Sequence, residues 1–186
     1  MKTITKYEIR TGDVLLVSGN SWLSKMIQKS QKRDKKCMND YAWLRNHVDI
    51  MWWCYDELFA VGAQKKGIQE QVFENYCTPE RQFLVLRPTF KVDGSEYGRF
   101  ILEHIRRYGK KTKYAKWDLI NHLRQIFKGK WKGEKKQDGR RFTCGEFGHH
   151  VHKHFHPKLF PENSAEVRPC HFLSFAGLFE VYRLDV

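Results

Sequence analysis

Apolar positions recur along this chain in two rhythms, and the rhythms predict most of its elements. Val14-Leu15-Leu16-Val17 is a continuous apolar run entered from Gly12-Asp13, the pattern of a turn leading into a short buried strand. Asn20-Ser21 offers a cap for a helix whose Trp22, Leu23, Met26 and Ile27 share one face. The polar, basic stretch from Lys29 to Lys36 predicts a loop. His47 to Trp53 and Leu58 to Gln64 are apolar runs separated by Cys54-Tyr55-Asp56-Glu57, which predicts a hairpin. Phe83 to Arg87, stopped by Pro88, predicts another strand. Helical spacing then takes over. Tyr97, Phe100, Ile101, Ile105 and Tyr108 recur at i, i+3 and i+4 before Gly109. A second helix carries Trp117, Ile120, Leu123 and Phe127 and stops at Gly129; a third starts near Cys144, carries Phe147, Val151 and Phe155, and ends before Pro157. Phe179 to Leu184 alternates as a last strand. Strands early, helices late and a returning strand make the class α+β, and with no repeat or linker visible the expectation is one domain over residues 1–186.

Composition narrows this picture. The chain has 186 residues, 41% hydrophobic and 15% aromatic, too apolar for a disordered tail. No apolar run approaches the roughly 20 residues of a membrane span, and Met1 to Arg10 lacks the apolar region of a signal peptide. Cys37, Cys54, Cys77, Cys144 and Cys170 are odd in number and irregularly spaced, which predicts free thiols and a reducing, cytoplasmic setting. The formal charge is +13, and it is concentrated: residues 106–141 hold fourteen basic and three acidic residues. Tyr108, Tyr114, Trp117, Phe127 and Trp131 interleave with those lysines. That pattern fits a solvated face with a mobile loop, or a surface for an anionic polymer such as nucleic acid or cell wall.

One cysteine has a suggestive setting. In Phe142-Thr143-Cys144-Gly145-Glu146-Phe147 a loop enters a helix, and a thiol at a helix N-terminus is favoured as thiolate by the dipole and the unpaired N–H groups. A thiolate beside an imidazole is the attacking unit of cysteine hydrolases. His47, at the start of Asn46-His47-Val48-Asp49-Ile50-Met51, sits where a sheet would hold it rigidly. If the hairpin turns at Tyr55-Asp56, Gln64 lies opposite His47 and its amide could orient the ring. A small buried cysteine and a core or capping histidine are the alternative.

Taken together, Gly12-Asp13 before a strand, the helix segment Trp22-Leu23-Ser24-Lys25-Met26-Ile27, His47-Val48 on a strand, Tyr114 in a Gly-Lys-Lys-Thr-Lys-Tyr segment, Thr143-Cys144-Gly145-Glu146-Phe147 and Arg168-Pro169 resemble a known group. It is that of the circularly permuted papain-like cysteine amidases of the YaeF/YiiX kind, relatives of NlpC-type cell-wall peptidases, in which the histidine strand precedes the cysteine helix. The resemblance runs from about residue 11 to 175. It implies a permuted papain-like fold, with a small, mainly antiparallel sheet packed against the nucleophile helix. It also implies Cys144 as nucleophile, His47 as general base and acid, and Tyr114 lining the site or binding the oxyanion. Glu146 reads as a local capping carboxylate. The implied activity is a thiol hydrolase, an amidase or peptidase, cleaving a small amide such as a stem-peptide bond or a lysine amide, or an ester, without a cofactor. One position departs from the group: the acidic residue expected before an alanine on the strand after the histidine is Gly62, in Val61-Gly62-Ala63. The orienting role therefore falls to Gln64, to a main-chain carbonyl or to another group. A non-catalytic binder of nucleic acid or another anionic polymer is the alternative function.

His149, His150, His152, His154 and His156 form a second cluster. On a helix His149, His152 and His156 share a face at metal-ligand spacing, but no glutamate lies between paired histidines, where Lys153 stands instead. The expectation is a surface patch that gains charge below about pH 6.5 rather than a metal site.

Overall fold

The computed structural model describes residues 1–33, 37, 44–64, 67–108, 124, 142–160, 167–175 and 177–185. Its seven strands are β1 (Lys2–Ile4), β2 (Val14–Ser18), β3 (His47–Cys54), β4 (Glu57–Gln64), β5 (Gly67–Val72), β6 (Gln82–Pro88) and β7 (Phe179–Leu184). They form one sheet in the order β1-β7-β6-β2-β3-β4-β5. Every neighbouring pair is antiparallel except β1 with β7. The helices are α1 (Trp22–Gln31), α2 (Phe73–Tyr76), α3 (Gly94–Tyr108) and α4 (Cys144–Phe155), with a 3-10 segment at Pro169–Ser174.

β2 is continuous rather than alternating in its apolar residues because it lies mid-sheet with both faces covered. Val14 and Leu16 pack with Val48 and Ile50 of β3 against Phe147 and Val151 of α4 and Tyr97 and Ile101 of α3. Leu15 and Val17 join Met51, Phe73, Tyr76 and the N-terminal Ile4 and Ile9 on the opposite face. Full burial of side chains of this kind is worth roughly 1.5–3 kcal/mol each, so helix and strands are held face to face rather than merely adjacent. At the entry to β2, Gly12 has φ +92 and a Cβ there would lie 2.6 Å from Val92 Cγ1, so the turn needs glycine twice over. The next residue, Asp13, is buried and ion-paired to Arg87 Nη2 at 2.9 Å; burial pushes its carboxyl above the usual range despite that arginine.

The hairpin turns at Tyr55-Asp56, with Cys54 opposite Glu57, as the sequence pattern predicts. The structure departs from the sequence reading in several places. α1 continues to Gln31, into the stretch expected to be loop, because Ser30 and Gln31 are buried there. Gln31 donates to the Arg45 carbonyl and accepts from the Cys170 amide. Trp22 is 72% exposed, off the packed face of its helix. β1 and β5 were not foreseen, and the sheet is larger than expected; it is mainly antiparallel as expected, with β1 and β7 the one parallel pair. Cys37 and Cys170 are disulfide-bonded across 133 residues, against the expectation of free thiols throughout: the two lie adjacent in space, which spacing along the chain could not reveal. Cys54, Cys77 and Cys144 are free. The helix expected over Trp117–Phe127, Tyr114 and nearly all of the basic segment fall outside the described residues, apart from Arg106–Tyr108 at the end of α3 and Arg124. Among the described residues no helix is long and apolar enough to cross a membrane.

Candidate active site

Cys144 is the first residue of α4, and the helix begins there for a local reason. Thr143, with φ −81 and ψ 168, is the N-cap. Its Oγ1 accepts from the Glu146 amide at 3.2 Å, and its own amide donates to Glu146 Oε2 at 2.7 Å. This capping box satisfies two of the four amides a helix start leaves unpaired, and it leaves those of Cys144 and Gly145 without a partner inside the helix. Glu146 is thus the capping carboxylate that the sequence suggested.

Two glycines let α4 pack closely, Gly145 against the Val167–Arg168 backbone and Gly148 against the sheet. A Cβ at Gly145 would lie 2.4 Å from the Val167 carbonyl oxygen and 3.0 Å from Arg168 Cα; one at Gly148 would lie 2.9 Å from Val48 Cγ1. The approach is to β3, and β3 begins with His47. His47 and Cys144 lie close enough for Cys144 to raise the His47 pKa, after the stronger effect of Asp49.

The third group is Asp49, two residues along the same strand. His47 Nε2 and Asp49 Oδ1 are 3.0 Å apart, the ring N–H donating and the carboxylate accepting. The Asp49 side chain is fully buried and that of His47 is 21% exposed. Burial pulls the His47 pKa down, but the Asp49 charge and Cys144 outweigh it and raise the value well above the usual 6.5. Asp49 Oδ2 has no hydrogen bond among the described residues. The Tyr76 hydroxyl is close enough to feel the carboxylate; burial first and the Asp49 charge second hold this phenol far above its ordinary range, so it stays neutral.

Gly62 explains the arrangement. A Cβ on residue 62 would lie 2.0 Å from Asp49 Oδ1 and 2.9 Å from the Val48 carbonyl oxygen. The strand after the histidine carries glycine because the acid comes from the histidine's own strand and occupies that space. Gln64, by contrast, accepts from Gln71 Nε2 at 3.2 Å through its amide oxygen. It shares a cavity with His47, but the group bonded to the ring is Asp49. Sequence reasoning passed over Asp49 although the signal was present: His47 and Asp49 at i and i+2 in a strand share a face, and an acid inside an otherwise apolar strand needs a partner.

A cavity of about 720 Å³ opens at His47, lined by Ser21, which caps α1, Ser24 of α1, Asn46, Gln64, Gln71 and Tyr76 among others. Its lining mixes amide and hydroxyl groups with the guanidinium of Arg81 and the carboxylate of Glu80.

The histidine cluster is not the surface patch expected. His149 and His152 are fully buried. His152 stacks on Phe160, its Nδ1 lies 3.2 Å from the Tyr97 hydroxyl, and burial pushes its pKa down to about 3. His156 lies against Phe90, with ring centroids 4.3 Å apart. These rings fill an aromatic core where helical periodicity had suggested a wet face, because α4 is covered on more than one side. Among the described residues, three metal-capable donors converge only at Cys37, Cys170 and His171, within 4.8 Å of one another. The two sulfurs there are bonded to each other.

No protein-family model matches the chain, and no curated protein matches it. The crystal structure of metalloprotein yiiX from Escherichia coli O157:H7 is similar over 92% of this chain and 95% of its own, at 16% identity and a TM-score of 0.48.

Proposed function

We propose that this protein is a thiol hydrolase of the circularly permuted papain-like kind, with Cys144, His47 and Asp49 as its reacting set. The observation that supports it most is the position of His47, which engages a buried carboxylate at Nε2 and the thiol of a helix-starting cysteine. In the first step Sγ of Cys144, its proton already held on His47, bonds to the carbonyl carbon of an amide or ester as the carbonyl double bond opens to an oxyanion. The Cys144 amide, left unpaired by the capping box, donates to the oxyanion. His47 then gives the proton to the leaving amine or alcohol, and the carbon–nitrogen or carbon–oxygen bond breaks to leave a thioester. Water, deprotonated by His47, attacks the thioester; the acid departs and the thiol is restored. Asp49 fixes the ring and stabilises the imidazolium formed in each half. Gln64 and Tyr76 line the substrate side of the cavity.

By resemblance the substrate is a small amide, such as a stem-peptide bond or a lysine amide, with an ester as the second class. The test is a panel of lysine amides, stem-peptide mimics and short-chain esters. Thioester formation is followed by mass spectrometry of the intact protein after quenching in acid. A covalent adduct on Cys144 that is absent from Cys144→Ala supports the reading; no turnover and no adduct on any amide or ester overturns it.

A further inference from the structure

A second cavity, of about 870 Å³, lies beside the first, and Arg81 lines both. Its charges are all of one sign. Arg45, Arg81 and Arg183 face it, and no carboxylate is among the described residues that line it. Leu44, Phe83, Leu84, Leu173 and Leu184 supply an apolar floor.

Arg45 is the unusual member. It is only 7% exposed, its Nη1 donates to the Gln82 carbonyl at 3.3 Å, and its Nε has no partner among the described residues. Burial, and then the charge of Arg183, push its pKa down to about 10. A buried guanidinium with a second one near it, and no acid among the described residues that line the cavity, is unfavourable in the folded chain by itself. Unsatisfied buried donors of this kind call for a partner. Arg81 is already oriented: its Nη1 donates to the Tyr76 carbonyl at 2.8 Å and its guanidinium lies 4.3 Å from the centre of the Tyr76 ring. From there it lines the cavity as well. Arg183, on β7 opposite Leu84 of β6, brings its charge to the wall that carries that leucine.

We propose that this cavity binds an organic anion, with a carboxylate or phosphate monoester head held by Arg45, Arg81 and Arg183 and a short apolar chain laid on the leucines. Planar guanidinium groups bind such heads through paired N–H donors, and the volume is in the range of small-molecule sites. The proposal goes beyond the hydrolase reading and does not depend on it, since none of the three arginines takes part in the thiol chemistry. Cys144→Ala therefore keeps the site intact.

Calorimetric titration at low salt tests it with four probes of one chain length: octanoate, octyl phosphate, octanol and octylamine. Binding of either anion, with octanol and octylamine at least tenfold weaker, is the expected result, and the stronger anion identifies the head. Arg183→Gln changes an exposed residue and weakens the anion at least tenfold. Arg45→Met does the same and unfolds at no lower temperature than the wild type, because it removes a buried charge that no acid compensates. Octanol binding as tightly as octanoate, an absence of binding by both anions, or full-strength anion binding by both variants overturns the site.

Discussion

His47 and His152 are both withdrawn from water, yet they are perturbed in opposite directions. His152 has aromatic rings and a tyrosine hydroxyl around it, so nothing offsets its desolvation and it stays neutral, with its pKa pushed down to about 3. His47 is also desolvated, but Asp49 and Cys144 reverse the sign and hold its pKa well above 6.5. Burial alone makes a histidine a core residue; burial beside a carboxylate and a thiol makes it a proton carrier. The two rings sit near the same helix, one acted on by its first residue and the other within it; His47 is 21% exposed and His152 fully buried, yet desolvation lowers both and only the charged partner of His47 reverses the direction.

The comparison breaks most severely at the thiol and the acid. Cys144→Ala and His47→Ala should leave only background hydrolysis. Asp49→Asn should lower turnover roughly 10²–10⁴-fold. It should also drop the His47 pKa, so the pH profile moves with the loss, which a purely structural role for Asp49 would not produce. Gly62→Glu, which would restore an acid at the position where the resembled group carries one, should cost as much as Asp49→Asn, because its Cβ would displace Asp49 Oδ1. Activity above wild type in that variant would show that the space around Asp49 has been misjudged.

Titration sharpens the contrast. His47 is raised in the folded state, so the stability it contributes is full below about pH 6.5 and is lost as pH rises through its folded value. His152 is lowered, so its contribution is present above 6.5 and is lost as pH falls toward 3. Ring-proton shifts followed by NMR from pH 3 to 9 should show His47 charged at neutral pH and His152 neutral through pH 5. In Asp49→Asn the His47 value should fall to 6.5 or below while His152 is unmoved.

Smaller effects come from the contact that joins helix and strand. Gly148→Val should destabilise by about 1–3 kcal/mol, read from chemical denaturation, because its side chain would meet Val48 and Phe172. It should also lower turnover by moving the thiol from His47. His152→Phe should cost about 1 kcal/mol for the hydrogen bond lost to Tyr97 and leave turnover unchanged. Gln64→Ala should be the mildest: a change in KM of a few-fold with kcat intact, since Gln64 faces the cavity but does not hold the ring.

Much of this molecule was written in local pattern. The apolar run of β2, the hairpin turn at Tyr55-Asp56, the helical spacing of α3 and the start of α4 at Cys144 all follow from periodicity and capping, which act over a few residues. Thr143 and Glu146 specify a capping box wherever the chain puts them. The tertiary structure alone decided the rest, because it depends on what lies across a gap. Alternation places Asp49 on the face of His47, but only the packing of β4 shows that Gly62 leaves the room for it. Residues 37 and 170, or 45, 81 and 183, carry no mutual signal in a single sequence, since their meeting is a property of the sheet order. Whether a histidine is a base or a piece of core is decided by the dielectric and the charge around the ring, and for His47 these combine Asp49, two residues away, with Cys144, far along the chain.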